Sequence, residues 1–381
     1  MAEPASEPRP AEGSGPILAV NVGSSSLKLS LVDSGYSTLA MREIDTSATR
    51  GSIHARDLAS HLSELGPFAA SSHRIVHGGE RFTSPVIVDQ QVMSDLEDLV
   101  DLAPLHQRRA LDVLAALISA VPNIPAIACF DTAFHATMPP GASTYALPAA
   151  WRVGLGVRRY GFHGLSYAYA TMRSSEMLGH SPADLRLVIA HLGSGASLAA
   201  VAGGQSVDTT MGFTPLEGLV MATRPGNVDP GALTWLLRNG VSPADLEHGL
   251  DHECGLAGLT GSPDMRGVLA ASASGDLDAR LGIEVYMHRL RALAASMVAA
   301  MGGLDALVLT GGVGERSPYV REHLARGLRF LGVEIDPALN RDATSGDFVV
   351  SPADAAVAVV VVAAREDIEL ARGAYELIAP G

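Results

Sequence analysis

17-ILAVNVGSSSLKLSLVD-33 sets two apolar runs around Gly23, Ser24, Ser25 and Ser26, with Lys28 as the second residue of the second run. One reading is a turn that merely links two strands. The other is a backbone cradle whose N–H groups converge on an anion, with Asn21 and Lys28 beside it. The stretch 187-LVIAHLGSGASLAAVAGG-204 repeats the plan: an apolar strand, a polar residue (His191 where the first copy has Asn21), a Gly-Ser turn and a second apolar strand. Gly-Ser hairpins are common in themselves. Two copies in one chain bring the phosphate reading level with the plain turn and suggest two similar half-domains facing one ligand.

The bulk composition has room for two such halves. The chain has 381 residues, 47% hydrophobic and 18% charged, which suits two cores better than one. A formal net charge of -14 argues against a nucleic-acid partner and against a polybasic membrane contact, since both need clustered Lys and Arg. Cys129 and Cys254 are far apart and form no CxxC pair, so neither a disulfide framework nor a zinc site is implied, and a reducing cytoplasm is expected. Residues 1–16 are rich in Pro, Ala and Glu, lack the pattern of a signal peptide, and read as a disordered tail. The run 355-AAVAVVVVAA-364 is too short to span a bilayer and reads as a strand buried on both faces.

Strand-like and helical runs alternate, which indicates an α/β class. Helices are expected at 53–65, 90–102, 107–120, 165–179, 278–301 and 366–378. Strands are expected at 124–130, 186–192 and 198–204. The stretch 305-DALVLTGGVGERS-317 reads as a strand, a glycine turn and a helix start. In the long helix, Leu281, Val285, His288, Ala292 and Ala295 form the expected face. The segment 73-HRIVHGGERF-82 reads as a loop too polar for a core.

Three sets of residues carry the chemistry. Gly23–Ser26, Gly193–Ser197 and Gly311–Gly314 are candidate phosphate turns. None fits a P-loop, and the third follows a strand at whose carboxyl end ligands usually bind. Arginines and histidines recur in polar loops: His73, Arg74 and His77; Arg158, Arg159 and His163; and Arg224 in Thr223-Arg224-Pro225-Gly226-Asn227. A guanidinium framed by Gly and Pro presents a fork to carboxylate or phosphate, and the alternative is a solvated surface arginine. The pair His73 and His77 lacks a helix of suitable spacing and a third ligand for a metal. Asp131, Asp264 and Glu366 sit at strand or loop ends, where carboxylates hold Mg2+ with water and phosphate. Equally, Asp131 can cap a helix and Glu366 can be a first-turn acid.

Together, NVGSSSLK (21–28), HRIVHGGERF (73–82), LAPLH (102–106), FDTAFHATMP (130–139), RRYGFHG (158–164), AHLGSGAS (190–197), DTTMGFTPLEGLVMATR (208–224), PDMR (263–266), TGGVGE (310–315) and REDIELAR (365–372) resemble the acetate kinase family. That family belongs with sugar kinases, heat-shock chaperones and actin. The resemblance implies two ribonuclease-H-like α/β domains with the actin-like ATPase fold and a nucleotide in the interdomain cleft. It assigns 17–140 plus 367–381 to the first domain and 141–366 to the second. It implies Mg2+-dependent (Mn2+ substituting), reversible transfer of the ATP γ-phosphoryl group to acetate or another short carboxylate, in a cytoplasmic homodimer. Asn21 and Glu366 match the magnesium-site residues, and Lys28 the lysine of the first phosphate hairpin. Arg74 and Arg224 match the substrate arginines, Asp131 the essential aspartate, and His163 the histidine at the transferring group. Val76, Leu105, Phe162 and Pro215 match the acyl pocket. His191, Leu192, Gly193, Ser194 and Gly195, then Asp264, Met265 and Arg266, then Gly311, Gly312, Val313, Gly314 and Glu315 match nucleotide-binding segments.

The chain departs from the family pattern at several points. HLGNG becomes His191-Leu192-Gly193-Ser194-Gly195. The Asn-Pro after LAPLH becomes Gln107-Arg108. Ser-Gly-Asp after Arg224 becomes Pro225-Gly226-Asn227. TNEE becomes Ala364-Arg365-Glu366-Asp367, and ENS becomes Glu315-Arg316-Ser317. A propionate kinase and a nucleotide-switched binding protein are the alternative readings, with pyrophosphate in place of ATP a third. The anion-binding residues outside the nucleotide segments disfavour the switch, and TGGVGE favours ATP.

Overall fold

Strand β1 (Ile17–Val22) has its apolar side chains divided between two layers. Ile17 and Ala19 pack with Leu370, Ala371, Ala374 and Tyr375 of the helix Glu366–Ile378. Leu18 and Val20 pack on the opposite face with Leu58, Leu62, Val113 and Leu117, from the helices Ala55–Leu65 and Pro104–Ala120. This is the period-2 alternation of a strand covered on both faces. The computed structural model describes residues 15–23, 26–46 and 55–378, and the side chains of all of these but 55–57, 59, 104 and 105. Nearly all of the expected N-terminal tail, Ser24 and Ser25 of the first turn, and the first two residues of the helix expected at 53–65 lie outside the described residues.

The chain divides into two compact units. The first comprises Met1–Ala136, Phe162–Tyr169 and Arg365–Gly381; the second comprises Thr137–Gly161 and Ala170–Ala364. The first unit holds β1, β2 (Ser26–Val32), β3 (Thr38–Asp45), β4 (Ala70–Ile75), β5 (Val86–Ile87) and β6 (Ala126–Phe130), in the order β3-β2-β1-β4-β6-β5. The strands β1, β2 and β3 form an antiparallel meander, β4 and β6 run parallel to β1, and β5 is antiparallel at the edge.

The second unit holds β7 (Arg186–Leu192), β8 (Ala196–Ala202), β9 (Gln205–Thr209), β10 (Ala306–Thr310), β11 (Phe348–Val349) and β12 (Ala358–Val361). Their order, β9-β8-β7-β10-β12-β11, reproduces the first sheet strand for strand, with the same parallel and antiparallel pairings. The two Gly-Ser hairpins recognised in the sequence open the two sheets, as β1–β2 and β7–β8. Such a duplicated mixed sheet with helices on its faces is the two-domain actin-like ATPase fold. Among the described residues no helix is long and apolar enough to cross a membrane.

Three expectations require correction. His73, Arg74 and Ile75 belong to β4 rather than to a loop, and His73 and His77 are fully buried. Hydrogen bonding permits this: His73 Nε2 lies 3.1 Å from Ser71 Oγ, and the His77 main chain is bracketed by Gln107. The helix expected at 90–102 ends at Asp98, and a 3-10 turn follows at Val100–Leu102. The long helix Leu277–Met301 turns the opposite face inward. Leu281 is 50% exposed and His288 is exposed, whereas Ala279, Ile283, Tyr286, Met287, Leu290, Ala294 and Met297 are buried. Leu and Ala occur on both sides of this helix; the buried stripe follows the i, i+3, i+4 spacing through Tyr and Met.

Candidate active site

In the first unit, the carboxyl ends of β4 and β6 bring Arg74 and Asp131 together. Asp131 follows β6 directly, and its N–H donates to Ile75 O at 3.0 Å. Arg74 Nε donates to both Asp131 oxygens at 3.0 and 3.1 Å, and Nη2 to Oδ2 at 2.6 Å. Arg74 Nη1 lies 3.2 Å from Asn21 Oδ1 and 3.4 Å from Glu366 Oε2. Asn21 Nδ2 in turn donates to Glu366 Oε2 at 2.5 Å. One guanidinium therefore links the end of β1, the end of β6 and the first turn of the C-terminal helix. Burial pulls the Arg74 guanidinium down, and the charges of Asp131 and Glu366 more than reverse this, so it is held above its ordinary value. Burial pushes the Asp131 carboxyl up, against the pull of Arg74 and with a further push from Glu366.

His163 lies against this pair through its backbone, which hydrogen-bonds the Asp131 carboxylate. It has φ +59°, a left-handed conformation unfavourable for a side chain with a Cβ and typical of a constrained functional position. The next N–H, of Gly164, donates to Asp131 O at 2.9 Å, and a Cβ at Gly164 would collide with that oxygen. Phe162 is buried, with its ring 5.5 Å from that of His77 and its carbonyl 3.0 Å from His135 Nε2. Val76 is half-buried beside His77. Leu105 lies in the helix Pro104–Ala120, and its side chain is outside the described set. Lys28, in register with Asn21 across β1 and β2, is half exposed and carries its Nζ to 3.9 Å from Glu43 Oε1 on β3.

Among the described residues no group of three or more His, Cys, Asp or Glu side chains is placed to hold a metal. The oxygens of Asn21, Asp131 and Glu366 nevertheless suit a hard cation that takes its other ligands from water and phosphate. Two carboxylates share one arginine, which leaves net negative charge in this group.

In the second unit, the turns after β7 and β10 meet. Gly193 N–H donates to Gly195 O at 3.0 Å, and the helix Gly311–Arg316 starts directly from β10. Gly311 has φ +77°, and an added Cβ would stand 2.9–3.0 Å from the Leu192 backbone. The turns border a cavity of about 510 Å³ lined by Gly193, Ser194, Asp264, Met265, Arg266, Gly312 and Val313 from the expected nucleotide segments. His191, Leu192, Gly195, Gly311, Gly314 and Glu315 of the same expected segments are not among its lining residues. Glu315 Oε1 accepts Ala364 N–H at 3.0 Å. Asp264 caps the helix Met265–Ala273 through Arg266 N–H, and its ion pair with Arg266 holds its carboxyl below the ordinary value. Tyr286, Arg316 and Tyr319 also line the cavity, and none of them is among the residues expected to bind nucleotide. Of these, Arg316 was visible as a departure from ENS. Tyr286 is carried in by the buried face of the long helix Leu277–Met301, opposite to the face expected from Leu281.

Arg224, also in the second unit, follows a stretch tied to the segment Cys254–Ala257. Cys254 N–H donates to Thr223 O, Leu256 N–H to Met221 O and Ala257 N–H to Ala222 O at 2.9–3.0 Å. Arg224 Nη1 lies 3.4 Å from Pro215 O, and Nε lies 3.9 Å from Asp251 Oδ1. Burial lowers the Arg224 guanidinium and Asp251 opposes that shift. Asn227, where the family pattern has an acid, accepts Gly218 N–H at 2.8 Å.

The fold and these arginine and carboxylate sites define a phosphotransferase of the actin-like ATPase class. Residues 52–372 match the acetokinase family, and the chain belongs to that family. It is 41% identical to an acetate kinase of Leifsonia xyli, over 96% of this chain and 99% of that one. It is 38% identical to an acetate kinase of Bacillus subtilis, over 95% and 99%. A crystal structure of Porphyromonas gingivalis acetate kinase superimposes with a TM-score of 0.85 at 34% identity, covering 94% of this chain and 98% of that one. A propionate kinase from Francisella tularensis gives 0.85 at 31% identity, covering 94% and 99%.

Proposed function

We propose that this chain catalyses reversible transfer of the ATP γ-phosphoryl group to acetate, giving acetyl phosphate and ADP. The observation that carries the site assignment is the buried Arg74–Asp131 pair with Asn21, Glu366 and His163 around it. A carboxylic acid has a pKa of about 4, so the acceptor is already an anion at neutral pH and needs no general base. The difficulty is bringing one anion up to another. By the family resemblance Arg74 and Arg224 are substrate arginines whose charge offsets this repulsion, and His163 donates to the transferring phosphoryl oxygens. Asp131 fixes the Arg74 fork. Together with Asn21 and Glu366 it would hold Mg2+, whose charge offsets that of the phosphates. ATP enters the 510 Å³ cavity of the second unit.

The family resemblance matches Val76, Leu105, Phe162 and Pro215 to the residues that limit the acyl tail. An added methylene changes discrimination by only about 1–3 kcal/mol, so propionate is a slower but real substrate. Exposed Trp151, Val153, Leu155 and Trp235 on the second unit support a dimer formed there. Two unbridged thiols, Cys129 and Cys254, support a reducing compartment such as the cytoplasm.

The test is a panel of acetate, propionate and butyrate with ATP and Mg2+, trapping acyl phosphate with hydroxylamine. Acetate is expected to give the highest kcat/KM. ATP hydrolysis without any acyl hydroxamate would refute the assignment.

A further inference from the structure

The loop Phe213–Glu217 is closed by a side chain that arrives from elsewhere in the second unit. The Tyr145 hydroxyl accepts the Phe213 N–H at 3.0 Å and donates to Glu217 Oε2. One oxygen thus joins both ends of a five-residue loop with Pro215 at its apex. Arg159 secures the same closure. Its Nη2 donates to Glu217 Oε1 at 2.6 Å, its Nη1 reaches the carbonyls of Thr209, Thr210 and Met211 at 3.0–3.2 Å, and its guanidinium lies 5.4 Å from the Tyr145 ring centroid. Gly212 completes the fit, because a Cβ there would collide with both Glu217 and Tyr145. Burial and the bond to Glu217 push the Tyr145 phenol up, so the hydroxyl keeps the proton it donates. At the apex, Pro215 O lies 3.4 Å from Arg224 Nη1.

We infer that Tyr145 and Glu217 are positioning residues that set the acceptor's chain-length selectivity, by fixing Pro215 and, through its carbonyl, the Arg224 guanidinium. This rests on the assignment of Pro215 and Arg224 to the carboxylate site made above. Neither residue needs to touch substrate. A stapled loop holds the apolar wall at a fixed distance from the guanidinium, so an acyl tail one methylene longer must displace it. Without the staple the wall can retreat and the guanidinium loses an acceptor that orients it.

The test is Tyr145→Phe, which keeps the ring and removes the bridging oxygen, with Glu217→Gln as a second variant that keeps an acceptor for Arg159. In the full chain with ATP and Mg2+, Tyr145→Phe should raise the acetate KM about tenfold, the scale of one lost hydrogen bond to a charged partner. The KM for ATP should stay within about twofold, and the acetate-to-propionate ratio of kcat/KM should fall several-fold. Amide hydrogen exchange over 212–218 should quicken in the same variant, a readout independent of turnover. Glu217→Gln should show the same pattern, weaker. An active parent protein whose Tyr145→Phe variant keeps its acetate KM and selectivity would overturn this inference alone. So would a variant that loses ATP and acetate affinity together with its melting temperature. A parent protein that makes no acyl phosphate from either acid would overturn the reaction assignment as well.

Discussion

Replacing Asp131 by Asn separates two accounts of this carboxylate. In the structure it receives three short contacts from Arg74 at 2.6–3.1 Å while only 1% exposed. Asn keeps one carbonyl acceptor but turns an NH2 group toward guanidinium donors, so at least one charge-assisted bond becomes donor against donor. Each such bond contributes about 1.5–3 kcal/mol. Coulomb attraction at ~4 Å with an effective dielectric constant of about 20 sets an upper scale of about 4 kcal/mol. Relief from burying a carboxylate offsets part of the loss. A net destabilisation of about 2–3 kcal/mol follows, which lowers the melting temperature by roughly 4–12 °C for a unit of this size. If Asp131 acts by orienting Arg74 and by holding Mg2+ through water, turnover should fall at least a hundredfold while the Mg2+ concentration for half-maximal rate rises. The assays are thermal unfolding, ATP binding by calorimetry, and hydroxamate formation against Mg2+. A variant of unchanged stability, nucleotide affinity and Mg2+ dependence that has nonetheless lost turnover would refute this reasoning and restore a proton-transfer role.

Gly311→Ala places a Cβ at φ +77° against the Leu192 backbone. It should cost roughly 1–3 kcal/mol of stability and weaken ATP, whereas Gly312→Ala, whose Cβ meets nothing within 4 Å, should leave stability within about 0.5 kcal/mol; equal effects in a urea melt would contradict the close approach. His73 is held by burial at about 3, below its unfolded value of about 6.5. The unfolded chain therefore takes up the proton first, and stability is lost as pH falls from about 6.5 toward 3, by roughly 2 kcal/mol at pH 5. His73→Gln should remove that slope from the urea midpoint between pH 7 and 5, and parallel curves for the two proteins would show that His73 does not titrate in this way.

How much of this was legible in the sequence depended on how local each signal was. The hairpin at 17–33, its echo at 187–204 and the valine strand are written in contiguous apolar runs bounded by Gly and Ser, and the two sheets were visible through them. Arg74 and Asp131 were identifiable as residue types in suggestive places. Their pairing, across β4 and β6, needs the parallel register that no local pattern states. Polar composition made 73–82 look like a loop, because a buried histidine is betrayed only by its partners, Ser71 for His73 and Gln107 for His77. In the helix Leu277–Met301, Leu281 attracted the apolar face to the solvent side, since Tyr286 and Met287 carry less periodic signal than a leucine. Tyr145 and Glu217 escaped notice for a simpler reason: they are distant in sequence, and their meaning lies only in their contact.

The strand order also determines what each sheet offers to other chains. The first sheet ends in the two-residue strand β5 and the second in the two-residue strand β11, too short to template another strand. On the opposite side, β3 is a full eight residues, with Leu39 and Met41 largely exposed. Such an edge invites intermolecular pairing. Here Arg42, Glu43 and Asp45 follow at once, and Arg42 and Glu43 are engaged with Glu64 and Lys28. Charges so placed beside an exposed edge disfavour pairing with another chain, so part of the surface charge of this acidic chain blunts an edge rather than serving chemistry.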